Sequence, residues 1–196
     1  MTSLRPRRAV DWLVAVLALA AAGIVHALEP ADVLTPLSHV ERSDATFEET
    51  RHIAALTAPV VRRGSLHYVR PAELTMVVDS PVRERLRIVG GTLTLEGRGG
   101  TREIRITDMP VVAALVESIR GTLAGDPAAL GRYFTVRASG EAARWRLELT
   151  PLTTELATAV SRITIEGADT QIGRIDVNES SGDRSVMLIA PAARKP

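Results

Sequence analysis

One pattern recurs through most of the chain: short runs in which apolar and polar residues alternate. A period of two puts successive side chains on opposite faces of a strand, so each run predicts a strand with one apolar face. In the first half such runs fall at 47–53, at 66–70, at Leu74, Met76 and Val78, at Leu86 and Ile88, at Leu93 and Leu95, and at Ile104 and Ile106. In the second half they fall at Val136 and Ala138, at Trp145, Leu147 and Leu149, at Ile163 and Ile165, at Ile175 and Val177, and at Val186 and Leu188. Gly90-Gly91, residues 97–100 and the polar stretch 178–183 read as turns. The whole is an antiparallel meander, apolar on one side and charged on the other.

About ten such strands must cover their apolar face. A closed barrel would bury it on itself, and a strongly curved open sheet would wrap it around helices. Few helices are available. Residues 30–40 carry Val33, Leu34, Leu37 and Val40 on one stripe, with Pro36 inside the pattern expected to kink or shorten it. Asp108 is placed to cap a second helix, with Pro110 in its first turn. Val112, Leu115, Val116, Ile119 and Leu123 follow at helical spacing, and Gly125 ends the run. Asp126-Pro127 opens a short helix to Gly131, and residues 151–159 suggest another. Aromatic residues make up only 3% of the chain, so any core is built from Leu, Val, Ile and Ala. Two readings of the concave side follow. Aliphatic side chains and helices pack it solid, or the packing is incomplete and a removable helix covers an apolar cavity.

The stretch GSLHYVRPAEL, residues 64–74, sharpens the question. Leu66, Tyr68 and Arg70 share one parity, so an arginine is aimed at the apolar face where Pro71 stops the run. A buried guanidinium needs acceptors, and the last turn of a helix exposes unpaired carbonyls. Arg70 therefore either latches a helical lid or ends its strand and reaches to solvent.

The N-terminus has the three parts of a secretory signal peptide. Arg5, Arg7 and Arg8 are basic, residues 12–25 are uncharged and mostly apolar, and Val25-His26-Ala27 offers small residues at the positions before a cleavage site. Cleavage after Ala27 removes those arginines and Asp11, leaving 21 basic and 22 acidic side chains in one domain, 28–196. That near-neutral balance gives no electrostatic footprint for nucleic acid. The expected location is outside a bacterial inner membrane.

No catalytic constellation stands out. The chain has no cysteine, which excludes disulfides, thiolate nucleophiles and Cys-based metal sites. His39, His52 and His67 remain after cleavage, and His52 and His67 could face each other on adjacent strands, but no carboxylate is matched to complete a metal site. Ser65-Leu66-His67 lacks a strained nucleophile turn and an identifiable third member. The glycines at 97, 99 and 100 lack the Lys-Ser/Thr of a phosphate loop. No cofactor is expected. Arg85, Arg87, Arg105, Arg144 and Arg146 lie on the outward parity, as a solvated face requires.

The order of these features resembles the LolA/LolB family of bacterial lipoprotein carriers. The resemblance rests on Ala45-Thr46-Phe47 followed by Glu-Glu-Thr-Arg, on Gly64-Ser-Leu-His-Tyr-Val-Arg-Pro71 followed by Ala-Glu-Leu74, on Pro81, and on the Gly90-Gly91 hairpin. It implies a mainly β fold with helices, a curved antiparallel sheet forming an unclosed β-barrel under a helical lid. It implies a periplasmic, non-enzymatic, monomeric carrier of the acyl chains of lipoproteins or another acyl lipid. An inner-membrane donor transporter and an outer-membrane acceptor would be its partners. By the resemblance Arg70 is the lid latch, the 109–131 helices are the lid, and Leu66, Tyr68, Leu74, Met76, Leu86, Ile88, Leu93 and Leu95 line the cavity, with Leu147 beside them. Carriers of this family place several aromatics in the pocket and this chain has few, which widens the implied cargo. A periplasmic lipid- or peptide-binding regulator and an acyl-lipid hydrolase are the competing readings; the second lacks a nucleophile–base pair.

Overall fold

The computed structural model describes residues 28–71 and 73–193. The expected signal peptide, residues 1–27, lies outside the described residues. Helix α1 (Pro30–Leu37) precedes six strands: β1 (Arg42–His52), β2 (Val60–Val69), β3 (Glu73–Ser80), β4 (Glu84–Val89), β5 (Thr92–Gly97) and β6 (Gly100–Arg105). A single 3-10 turn (Ile106–Asp108) leads to α2 (Pro110–Ala124) and α3 (Pro127–Gly131). Strands β7 (Phe134–Glu141) and β8 (Arg144–Pro151), helix α4 (Thr154–Ala159), and β9 (Val160–Ala168), β10 (Gln171–Glu179) and β11 (Arg184–Pro191) complete the chain.

All eleven strands form one antiparallel sheet in the order β6-β5-β4-β3-β2-β1-β11-β10-β9-β8-β7. Every hairpin neighbour in sequence is a neighbour in space. The one long-range pairing joins the first strand to the last, so β1 and β11 meet in the middle of the sheet. The free edges are β6 and β7, and the segment that runs between them holds α2 and α3. The sheet is an open barrel rather than a closed one, and the helical segment connects its two lips.

Cross-strand rows show how the alternation becomes an interior. Ala45, Leu66, Met76, Leu86 and Leu95 stand opposite one another from β1 to β5. The next row carries Ser43, Tyr68, Leu74, Ile88 and Leu93. The other half contributes Met187, Ile175, Ile165 and Leu147. Burial along β1 alternates residue by residue from Asp44 to Glu49, as a sheet wet on one face demands.

The two halves are filled differently. Helix α1, with Val33, Leu34 and Leu37 buried, packs with Leu130, Phe134, Trp145, Leu147, Leu149, Ile163 and Ile165 into one dense cluster. A smaller cluster under the other half joins Tyr68, Leu74, Ile88 and Leu93 to Ile106 and Ala113. Both readings of the concave side hold in part: it is solid under β7–β9 and looser toward β2–β4.

Several sequence expectations are corrected. Helix α1 stops at Leu37, so Val40 is not on it. Asp108 does not cap α2: Met109 takes the cap position, and Asp108 sits in the preceding 3-10 turn, 3.2 Å from Arg105. On β11 the inward residues are Met187 and Ile189, not Val186 and Leu188; Leu188 is 51% exposed. The register explains this, because Met187 stands opposite the buried Ile175. The concave face is also not wholly apolar. Glu49 is only 7% exposed, 3.1 Å from Arg62 and 2.5 Å from the Ser185 hydroxyl that donates to it. His52 stands opposite Arg184 and His67 opposite Asp44, so the two histidines do not face each other.

Gly64 has a geometric reason to be glycine. It sits at a β-bulge, and a Cβ there would lie 1.8 Å from the Val77 carbonyl oxygen and 3.0 Å from the Phe47 ring. The alanine variant Gly64→Ala is expected to cost about 3 kcal/mol of stability, the upper range for overpacking a closed site, read from urea unfolding.

On the convex face Asp176, 6% exposed, accepts bonds from the guanidiniums of Arg184 and Arg174. The bond from Arg184 is the largest cause holding its carboxyl below the ordinary carboxylate range; burial opposes it and Arg174 assists. A depressed folded pKa gives stability that is complete above the unfolded value, near ~3.9, and is lost as pH falls through the folded one. Asp176→Asn should therefore lower the urea midpoint at pH 7, and the two midpoints should converge in acid.

Candidate functional site

Between the two clusters lies a cavity of about 590 Å³, inside the roughly 300–1,000 Å³ span of small-molecule sites. One wall is Leu66, Tyr68, Leu74, Met76, Leu86 and Ile88, from the paired strands β2, β3 and β4. The facing wall is Ile172, Ile175, Met187 and Ile189, from β10 and β11. The roof is one side of α2: Leu115, Val116, Ile119 and Leu123. These four recur at helical spacing, which is why one helix can present all of them to the same space. Leu37, Val40, Ala45, Pro191 and Ala192 complete the apolar lining, and Ser43, Thr170 and Gln171 also border it, while Arg42 and Asp44 touch its rim from strand positions of the outward parity. Farther along β1 stand Phe47 and then the Glu49–Arg62 pair, which place a bulky ring and an ion pair beyond the apolar space.

Six of the nine side chains expected to line the cavity do so. Leu93, Leu95 and Leu147 share the inward face but stand outside the cavity. Leu93 and Leu95 pack in the smaller cluster with Ile106 and Ala113. Leu147 is 0% exposed because α1, α3 and the strands around it fill the space above. Val112 also packs into the smaller cluster rather than lining the cavity. The lining residues of β10 and β11 were missed by sequence reasoning. Ile175 was detectable by parity; Met187 and Ile189 were masked by Val186 and Leu188, which alternate equally well on the wrong face.

Arg70 follows the last residue of β2, half-buried, with its Nη1 donating to the carbonyl oxygen of Ala124 at 3.4 Å. Ala124 is the final residue of α2, where carbonyls lack helical partners. The helix ends there because Gly125 adopts φ +62, and a Cβ on it would lie 2.2 Å from the Leu34 carbonyl oxygen of α1. The C-terminal end of α2 thus rests on α1 and reaches Arg70, while its start follows the 3-10 turn, whose Ile106 amide bonds the Gly91 carbonyl. Tyr68, two residues before Arg70, is 1% exposed. Burial pushes its hydroxyl pKa up, against the pull of Arg70 and Arg120 and with a smaller push from Glu41. The group therefore stays protonated at neutral pH.

On the opposite face Ser65 and His67 acquire a third member that the sequence did not reveal. His67 Nδ1 is 2.8 Å from Asp44 and Nε2 is 3.1 Å from the Ser65 hydroxyl. The order resembles a hydrolytic triad, but His67 and Asp44 are each about half exposed on a convex surface. Ser65 is in register with Thr46 on one side and Val77 on the other, so its strand is paired along both edges. Ladder pairing directs the backbone amides into the sheet plane, away from where an oxyanion above the serine would form. Among the described residues no group of three or more His, Asp or Glu side chains is arranged to hold a metal, and no helix is long and apolar enough to cross a membrane.

A family model described as outer membrane lipoprotein carrier protein LolA-like matches residues 21–196. Comparison with curated proteins gives no match. Among solved structures, a LolA superfamily protein of Nitrosomonas europaea is similar at 10% identity, covering 87% of this chain and 96% of that one, with a TM-score of 0.47. The Mycobacterium tuberculosis lipoprotein LppX is similar at 11% identity, covering 84% and 94%, with a TM-score of 0.45. A chain of the Pseudomonas aeruginosa MucA/MucB complex is similar at 14% identity, covering 85% of this chain and 59% of that one, with a TM-score of 0.45.

Partly filling the cavity should weaken binding in it without unfolding the sheet. Ile119→Trp is expected to lower the affinity for the neutral dye N-phenyl-1-naphthylamine about tenfold, since apolar sites bind by enclosing most of a ligand's surface. Dye fluorescence titration, with circular dichroism as the control for folding, checks this.

Proposed function

The chain belongs to the LolA-like family of outer membrane lipoprotein carrier proteins, and from that premise we propose that it shelters the acyl chains of a lipid or lipoprotein and carries them across the periplasm from the inner to the outer membrane. The observation that carries this reading is the apolar cavity beneath α2, walled by β2–β4 on one side and β10–β11 on the other. Hydrocarbon burial contributes about 0.8 kcal/mol per methylene. A long chain exposed in water would forgo all of that, so a carrier needs an enclosed apolar space and a wetted exterior. The exterior here is wetted by ion pairs such as Arg63–Glu48, Arg87–Glu73 and Arg146–Glu166.

Under this proposal α2 is the lid and Arg70 its latch. The bond to Ala124 is single and long, worth about 1 kcal/mol by the usual net value of a hydrogen bond. A latch of that size biases a closed state without locking it. The mechanism is binding and release with no covalent step. The Ser65, His67 and Asp44 cluster takes no part, because it lies on the other face of the sheet. A donor transporter in the inner membrane, an acceptor at the outer membrane and a monomeric carrier between them complete the proposal.

Mass spectrometry of lipids that copurify with the protein, together with uptake of labelled lipoprotein, tests the reading. Acylated species at near-stoichiometric amounts are expected; their absence, with no uptake, would leave a regulator of some partner protein as the better reading. Arg70→Leu is expected to raise apparent affinity for an acyl ligand about three- to fivefold by populating the open form. It should also slow release to acceptor vesicles in a stopped-flow transfer assay.

A further inference from the structure

We propose that the Tyr68 hydroxyl is the polar anchor of the cavity, donating a hydrogen bond to the carbonyl oxygen at the head of a bound acyl chain. This rests on the carrier reading above and narrows it to ligands that bear a carbonyl or carboxylate at the start of their hydrocarbon tail.

Tyr68 lines the cavity, and among the described residues its hydroxyl is the one buried side-chain polar atom without a hydrogen-bond partner. A buried donor left unpaired is costly, which makes an unexplained one beside a cavity a pointer to a ligand site. A phenylalanine would fill the same volume among Leu74, Ile88 and Leu93 without that cost. The hydroxyl is held protonated, so it is a donor in search of an acceptor. A bare hydrocarbon would leave it unsatisfied, whereas an ester carbonyl or a carboxylate would satisfy it.

Position along the sheet agrees with such a role. Tyr68 stands opposite Ser43, a polar residue at the border of the cavity, while the next row inward is Ala45, Leu66 and Met76. A chain anchored at Tyr68 would keep its head near that border and run its tail along aliphatic walls. Arg70 and Arg120 lie near enough to the hydroxyl to affect its ionisation, and their positive charge favours an acceptor there.

The test compares 1-palmitoylglycerol with its ether analogue 1-O-hexadecylglycerol by displacement of N-phenyl-1-naphthylamine, in the wild-type protein and in Tyr68→Phe. The wild type is expected to prefer the ester about tenfold, the span of a buried donor paired against unpaired, and Tyr68→Phe to bind both within about twofold. Palmitate in the same assay distinguishes a free carboxylate from an ester as the better head group, each again dependent on Tyr68. Equal ester-to-ether ratios in the two proteins would overturn the anchor and leave the carrier standing. If neither lipid displaces the dye from the wild type, the carrier reading falls and the anchor with it. Without ligand, Tyr68→Phe should melt no lower than the wild type; a lower melting temperature would show that the hydroxyl already has a resident partner, and would also overturn the proposal.

Discussion

The apolar face of an eleven-stranded sheet has to be taken out of water, and the connectivity leaves a single way to do it. Because β1 pairs with β11 in the middle of the sheet, the free edges belong to β6 and β7, halfway along the chain. The polypeptide must cross from one edge to the other, and the crossing segment is apolar and helical. Closure of the barrel by strand pairing is thereby replaced by closure with a helix. Strand pairing fixes an interior through a ladder of backbone bonds, whereas a helix lying on a sheet is held chiefly by side chains. The cover of this interior is therefore its least constrained part.

The cover is not held evenly. Its α3 end is buried with α1 and the β7–β9 half, where Leu34, Leu130 and Leu147 are closed off from solvent. The face of α2 over β2–β4 borders empty space, and the polar tie at its end is one bond from Arg70 to Ala124. Local opening is easiest where few apolar contacts must be broken. Solid packing on one side and a cavity on the other give the concave face a filled half and a hollow one. The wetted convex face needs no such asymmetry, and its exposed ion pairs contribute solubility more than stability.

Much of the fold was legible because the signals are local. Alternation located the strands, the spacing of Leu115, Val116, Ile119 and Leu123 identified a helix with one apolar side, and Gly125 marked its end. Where local rules failed, a competing arrangement was locally as good. Val186 and Leu188 alternate as convincingly as Met187 and Ile189, and only the pairing of Met187 with Ile175 decides which pair faces inward. Asp108 has the chemistry of a helix cap, but the chain makes a 3-10 turn first and Met109 takes the position. Glu49 shares the inward parity of Ala45 and Phe47, and Arg62 and Ser185 supply the partners that let a carboxylate be buried there.

The sequence by itself determined which residues can face a common interior, since parity along a strand and spacing along a helix follow from backbone geometry. It determined too that Arg70 shares the apolar side of its strand with Leu66 and Tyr68. Only the tertiary structure decided which of those inward residues border empty space and which are packed over. Leu147 and Met76 obey the same alternation, yet the first is sealed beneath helices and the second lines a cavity. The same holds for Asp44, which strand register alone sets beside Ser65 and His67. The reason is that burial depends on what lies above a side chain, and that is set by contacts between residues distant in sequence, which no local period encodes.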